Sequence, residues 1–316
     1  MIARALPVLF AMIVALSLGN APAKAAEKLV VLLDWFVNPD HGPLIVADEL
    51  GLFAEQGLEV ELIAPADPSA PPKLVAAGQG DVAVSYQPQL HLQIDQGLPL
   101  TRIGTLVATP LNTLTVLADG PIQSLKDLKG RKVGYSVSGT EEAILSAMLR
   151  TVGLGMTDVE LINVNFSLSP SLISGQVDAV IGAYRNFELN QMDIVGRPGR
   201  AFFVEEHGVP PFDQLIYVAR NDRVDDPRLG KLLDATERAV QFMVNHPDDA
   251  WSLFVRNYPE LDDELNRRAW RDTLPRFALR PAALDVRRYE RMAAFMKDAG
   301  LIASTPPVAS YAATVR

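Results

Sequence analysis

The chain has 316 residues, 48% of them hydrophobic and 21% charged, with a formal net charge of −9 and no cysteine. That length exceeds what one core usually serves, so two lobes are expected, and the composition is that of a soluble folded chain rather than a disordered one. The acidic balance argues against nucleic acid and anionic lipid as partners, and the lack of cysteine excludes thiol catalysis, iron–sulfur clusters and cysteine-ligated zinc.

Arg4 precedes an apolar stretch over residues 5–18, followed by small residues and Ala23-Lys24-Ala25. This is the pattern of a cleaved export signal, too short to span a bilayer comfortably. Residues 1–25 are therefore read as a signal peptide. With no cysteine to carry lipid, a free periplasmic protein is favoured over a tethered one.

Residues 28–34 ("KLVVLLD") read as a buried strand, and 46–53 have helical spacing up to Gly51. Residues 58–64 alternate like a strand. Pro71 and Pro72 suit a helix start, with a stop at Gly78, and 81–85 form the next strand. Strand–helix alternation of this kind predicts an α/β class with a largely parallel sheet. The pattern restarts at 124–136 with a short helix, a turn and a strand. A helix over 141–152, a strand over 159–165, a short helix over 169–175 and a strand over 177–183 follow. Beyond residue 220 the chain is helical, amphipathic and rich in Arg and Asp. The extended apolar stretches 111–119 and 212–220 read as two strands crossing between lobes. This divides the chain into a discontinuous lobe, 26–115 plus 218–316, and an inserted lobe, 116–217.

One internal similarity stands out. "GQGDVAVSYQPQ" (78–89) parallels "GQVDAVIGAYRN" (175–186): each reads Gly-Gln-x-Asp, an apolar strand, then a tyrosine, Tyr86 or Tyr184. Ligands of parallel α/β sheets bind outside the carboxyl ends of the strands, so each lobe would present a tyrosine at its ligand-facing edge. The alternative is two unrelated core tyrosines.

Signals for catalysis are missing. His41, His91, His207 and His246 are scattered, and no H-E-x-x-H, phosphate-loop, G-x-G-x-x-G or G-x-S-x-G sequence occurs. The chain is read as a binding protein without metal or cofactor. Its candidate site begins in "DWFVNPDHG" (34–42), where Trp35 supplies a flat face, Asn38 a donor and an acceptor, and His41 a ring. Trp35 could equally be core, and Asn38 a turn residue. Asp67 and Ser69 follow the second strand, Ser69 suiting a helix cap better than a ligand contact. In "GYSVSGTEEA" (134–143), Ser138 and Glu141 fit a capping box, while the helix start at Ser138, Gly139 and Thr140 offers free N–H groups to a ligand acceptor. Its two adjacent glutamates disfavour an anion. Glu188 can accept two hydrogen bonds side by side, matching an amino group beside a ring N–H. Arg185 and Glu188 could instead be a surface ion pair at helical spacing, the preferred reading for Arg185.

The segments "LDWFVNPDHGPLIVADELGLFAEQGLEVEL", "ADPSAPPKLVAAGQGDVAVSYQPQ" and "INVNFSLSPSLISGQVDAVIGAYRNFE" resemble the NMT1/THI5-like solute-binding proteins, and among them those that bind a thiamine pyrimidine precursor. The likeness covers about residues 28–220. It implies a type II periplasmic-binding-protein fold, two α/β lobes joined by two crossover strands. It further implies a small heteroaromatic ligand between the lobes, delivery to an ABC permease, and a monomer. Carried over, Trp35, Asn38, Tyr86, Tyr184 and Glu188 would contact ligand, with His41 in the matching motif. Relatives that take riboflavin, a cytosine-like base, a sulfonate or nitrate leave the ligand open. The eukaryotic members that synthesise the pyrimidine carry a cysteine-rich iron motif, from which this cysteine-free chain departs.

Overall fold

A computed structural model describes residues 25–315 of the chain. The export signal read over residues 1–25 lies, but for its last residue, outside them.

Among the described residues, ten strands form two five-stranded sheets built on the same plan. The first holds β1 (Glu27–Leu32), β2 (Leu58–Ile63), β3 (Val82–Ser85), β4 (Leu100–Val107) and β10 (Leu215–Arg220), in the order β2-β1-β3-β10-β4. The second holds β5 (Asn112–Leu117), β6 (Lys132–Tyr135), β7 (Glu160–Asn163), β8 (Ala179–Tyr184) and β9 (Gly199–Phe203), in the order β7-β6-β8-β5-β9. In each, three parallel strands meet an antiparallel fourth, β10 or β5, the two stretches read as crossings. Each of these runs wholly within one sheet. The chain itself passes between sheets through 108–111 and 204–214.

The helices are α1 (Gly42–Glu49), α2 (Leu52–Glu55), α3 (Pro71–Ala76), α4 (Gln87–Asp95), α5 (Thr140–Arg150), α6 (Leu168–Ile173), α7 (Glu188–Ile194), α8 (Pro227–Asn245), α9 (Pro247–Phe254), α10 (Glu264–Thr273) and α11 (Val286–Asp298). The helix expected over 46–53 is two. Pro43 sits in the first turn of α1, and Gly51, at φ +71°, breaks the chain before α2.

Both faces of the first sheet are covered. Alternate residues of β1 and its extension, Leu29, Val31 and Leu33, enter a core that also holds Phe53, Trp251, Phe254 and Trp270. Leu32 faces the opposite way, with Ala83, Ile216, Tyr289 and Tyr311. The second sheet packs Leu114, Val133, Ala179 and Ile181 against α5, and into this cluster α11 inserts Met292 and Met296. The last long helix thus joins the second sheet's core rather than only completing the first lobe.

Strand β8 contains the irregularity on which the site depends. The pairing with β5 skips Gly182: Thr113 pairs with Ala183 and Leu114 with Ile181. Gly182 is an extra residue in the strand, at φ +101°, a conformation that favours glycine. The bulge reverses the alternation. Val180 and Ala183 share one cluster, while Tyr184 turns toward the first lobe and packs against its core.

Candidate functional site

Four strand ends converge between the lobes. Asp34 and Trp35 follow β1, Tyr86 follows β3, Val137 follows β6, and Tyr184 ends β8; all five line one cleft of about 430 Å³ counting its open mouth. Leu168, Phe187 and the bulge residue Gly182 add to its walls. The two tyrosines from the repeated sequence pattern therefore face one space, one from each lobe.

Asp34 anchors the floor. Its Oδ2 accepts the Tyr86 hydroxyl at 2.9 Å, and its Oδ1 is bonded by His41 Nε2 at 2.9 Å. His41 Nδ1 accepts the Asn38 backbone N–H at 3.3 Å, which assigns the proton to Nε2. His41 is fully buried behind Asp34 and does not line the cleft, which corrects its reading as a ligand contact. Asn38 does line it, but its amide is engaged: Oδ1 accepts Asp40 N–H at 2.8 Å and Nδ2 donates to the Phe36 carbonyl at 3.0 Å. It shapes the loop, capping the short 3-10 turn Pro39–His41.

Three further carboxyl groups face the cleft: Asp40, Glu141 and Glu188. Burial pushes each above the usual carboxylate range, Asp40 to about 6, Glu188 to about 7 and Glu141 to about 8. Hydrogen bonds oppose the shift at every one. Asp40 accepts Asn186 Nδ2 at 2.6 Å and the Thr273 hydroxyl at 2.9 Å. Glu188 Oε2 accepts the Tyr184 N–H at 2.6 Å, and Glu141 Oε2 accepts the Ser136 N–H at 2.6 Å. The Glu141 carboxyl lies where a side chain at position 182 would be, so the bulge glycine makes room for it. Among the described residues, no Lys, Arg or His lines the cleft. The space is an aromatic slot rimmed by acceptors, suited to a flat ring bearing N–H donors or positive charge.

The lobes meet around this slot. Trp35 lies edge-on to Phe166 with ring centroids 4.6 Å apart, and Phe36 lies at 4.6 Å from Phe166 as well. The Ser138 N–H donates to Ser69 Oγ at 3.1 Å across the gap.

Residues 38–250 match the profile of the family described as NMT1/THI5 like. The chain belongs to that family. A Haemophilus influenzae protein named for thiamine biosynthesis is 52% identical over 295 residues, covering 93% of this chain and 94% of its own. A formylaminopyrimidine-binding protein of Halalkalibacterium halodurans is 36% identical over 241 residues, 75% of this chain and 72% of its own. More distant relatives include a 4-amino-5-hydroxymethyl-2-methylpyrimidine phosphate synthase of Legionella pneumophila, 26% identical over 82% of each chain. In three dimensions the chain resembles the alkanesulfonate-binding protein SsuA of Xanthomonas axonopodis pv. citri, with a TM-score of 0.72 at 14% identity, over 92% of this chain and 99% of that one. The fold is that of the periplasmic binding proteins.

Several residues of this NMT1/THI5-like protein sit elsewhere than the sequence suggested. Asp67 is exposed, off the cleft, and accepts the Ser69 N–H at 2.8 Å. Ser69 does not cap α3, whose N-cap is Ala70; its hydroxyl is the bridge to Ser138. The Ser138–Glu141 capping box does not form. Gly139, at φ +85°, is the N-cap of α5, and Glu142 reaches back to its N–H at 2.5 Å. Ser138 and Gly139 are exposed and do not line the cleft, while Thr140 is buried in a recess beside it. Freed from capping, Glu141 turns inward. Arg185 does not pair with Glu188; it grips Glu205 with both terminal nitrogens, at 2.7 and 2.8 Å, and stacks on Phe203. Asp34 and Asp40 escaped the sequence reading, although both lie inside "DWFVNPDH" and their type and spacing were visible there.

Proposed function

We propose that this protein is the periplasmic solute-binding component of an ABC importer, and that its interlobe cleft takes a thiamine pyrimidine precursor, an aminopyrimidine such as formylaminopyrimidine or hydroxymethylpyrimidine. The carrying observation is the lining: four aromatic side chains, Trp35, Tyr86, Tyr184 and Phe187, with four carboxyl groups and, among the described residues, no cation. A protonated aminopyrimidine presents an amino group beside a ring N–H, and Glu188 can accept both. A sulfonate or nitrate would instead find carboxyl groups and no cation among the lining residues to pair with. The name of the relative from Halalkalibacterium halodurans supports the same ligand class, and the binding-protein fold supports capture by lobe closure without chemical change. Among the described residues no helix is long and apolar enough to cross a membrane, so a separate permease would carry the solute onward.

Calorimetry on the purified protein tests this, with formylaminopyrimidine, hydroxymethylpyrimidine, riboflavin and an alkanesulfonate as titrants. Binding of one equivalent of either pyrimidine, with no heat from the sulfonate, is the expected result. Binding of riboflavin or the sulfonate with neither pyrimidine overturns the assignment.

A further inference from the structure

Beside the cleft lies a second hollow of about 250 Å³, sharing Tyr86, Val137, Glu141 and Tyr184 with it and continuing to Asn112, Thr140 and Gln214. Its polar groups are not paired off. The Thr140 hydroxyl is buried with no hydrogen-bond partner, in a side chain only 3% exposed. Asn112 spends its Oδ1 on the Gly182 N–H at 3.2 Å, while its Nδ2 donates to nothing among the described residues. The Tyr184 hydroxyl accepts from Gln214 Nε2 at 2.9 Å, leaving its own proton free. Gln214 is in turn pinned, since its Oε1 takes the N–H groups of Leu111 and Asn112 at 2.8 and 3.1 Å.

Buried polar groups are almost always satisfied, so the unpartnered Thr140 hydroxyl, with the spare Asn112 and Tyr184 donors beside it, calls for an acceptor from outside the chain. The main cleft has the opposite character, because its carboxyl groups accept. The two spaces are thus complementary to the two ends of one molecule. We infer that the recess receives a short, neutral, oxygen-bearing arm of the ligand, a hydroxyl or a formamide carbonyl. Thr140 and Asn112 would then select the substituted pyrimidine over the bare ring. An anionic arm would find no Lys, Arg or His among the residues that line the recess. A purely apolar arm would leave all three donors unpaired. The inference rests on the proposed aminopyrimidine ligand and adds which part of that ligand is read, and by which residues.

The test compares 4-amino-2,5-dimethylpyrimidine with its 5-hydroxymethyl and 5-formylaminomethyl counterparts in calorimetry, on the wild type, Thr140→Val and Thr140→Ser. The wild type should prefer the oxygen-bearing ligands. Thr140→Val should cut that preference by roughly threefold to tenfold, the worth of one neutral hydrogen bond, and leave the dimethyl ligand's affinity unchanged. Thr140→Ser, which keeps the hydroxyl, should restore most of the preference and guards against misfolding of the valine variant. Equal weakening for all three ligands, or an undiminished preference in Thr140→Val, overturns the inference while the pyrimidine assignment stands. Failure of all three to bind the wild type removes both.

Discussion

Asn186 of the second lobe donates its side-chain amide to Asp40 of the first, at 2.6 Å, with both residues buried. The same nitrogen reaches Thr273 Oγ1 at 2.7 Å, so one amide ties the strand that carries Tyr184 to the loop after β1 and to the end of α10. This contact holds the two walls of the cleft together, and a neighbouring pair, Asn190 with Asp272 at 2.8 Å, repeats the connection nearer the surface.

Replacing Asn186 by Ala should therefore shift the ligand-free protein toward an open form. X-ray scattering should show a larger radius of gyration without ligand and an unchanged one with it. Affinity should fall by roughly tenfold or more, as expected when a hydrogen bond to a charged group is lost and closure must be driven by the ligand alone. A compact ligand-free Asn186→Ala protein would show that the closed arrangement does not depend on this amide.

Glu188→Gln keeps the shape of the side chain and an oxygen for the Tyr184 N–H, but removes the charge and one acceptor face. Aminopyrimidine affinity should drop by roughly tenfold to a hundredfold, the value of a charge-assisted pair. The melting temperature should hardly move. Unchanged affinity in calorimetry would take Glu188 out of the recognition of the ring.

The raised carboxyl groups carry a pH signature. Glu141 and Glu188 hold protons in the folded chain up to about 8 and about 7, whereas the unfolded chain releases them near the ordinary glutamate value of 4.5. The folded state thus binds more protons across this range, so ligand-free stability falls as pH rises through the two folded values. His91, buried and neutral with its pKa lowered to about 4, acts with the opposite sign, but only below the ordinary histidine value of 6.5. Urea unfolding should accordingly give a lower free energy at about pH 8.5 than at about pH 6.5, and Glu141→Gln should shrink the difference. Stability that rises over that interval would contradict the protonation scheme.

Gly182→Ala tests the bulge. The new methyl group would land on the Glu141 carboxyl, in a backbone conformation of φ +101° that other residues rarely adopt. A loss of roughly 1–3 kcal/mol in unfolding free energy is expected, with weakened ligand binding as Glu141 and Tyr184 are displaced. A stable, fully binding variant would mean that the strand can take the extra residue without the left-handed turn.

Much of the architecture was legible in the residues themselves. The apolar run "KLVVLL", helix punctuation by Pro71 and Gly78, and the doubled Gly-Gln-x-Asp pattern before Tyr86 and Tyr184 are local properties, and local backbone preference decides them. The two-lobed α/β class and the arrival of both tyrosines at strand ends follow from such patterns, whereas the expected largely parallel sheet is in each lobe a mixed one, because β10 and β5 each pair antiparallel with both neighbours. Strand β4 and helix α4 went unread, because residues 87–107 lack sharp boundaries: "PLTRIGTLV" mixes a charged residue with apolar ones, and Arg102 is buried only because the distant carbonyls of Pro281 and Ala283 receive it.

Which side chains share the cleft was settled by long-range packing. Glu141 looks like a capping residue until Gly139 takes that position and the missing side chain of Gly182 opens space for a carboxyl group. His41 looks like a ligand contact until Asp34, seven residues earlier, places itself between the ring and the cleft. Tyr184 faces the opposite lobe only because a skipped pairing partner reverses the strand's alternation. Sequence spacing alone carries the type and order of the elements, since these depend on neighbours in the chain. The direction of a side chain at the junction of two lobes depends on register, bulges and contacts made by residues dozens of positions away, and only the folded chain brings those together.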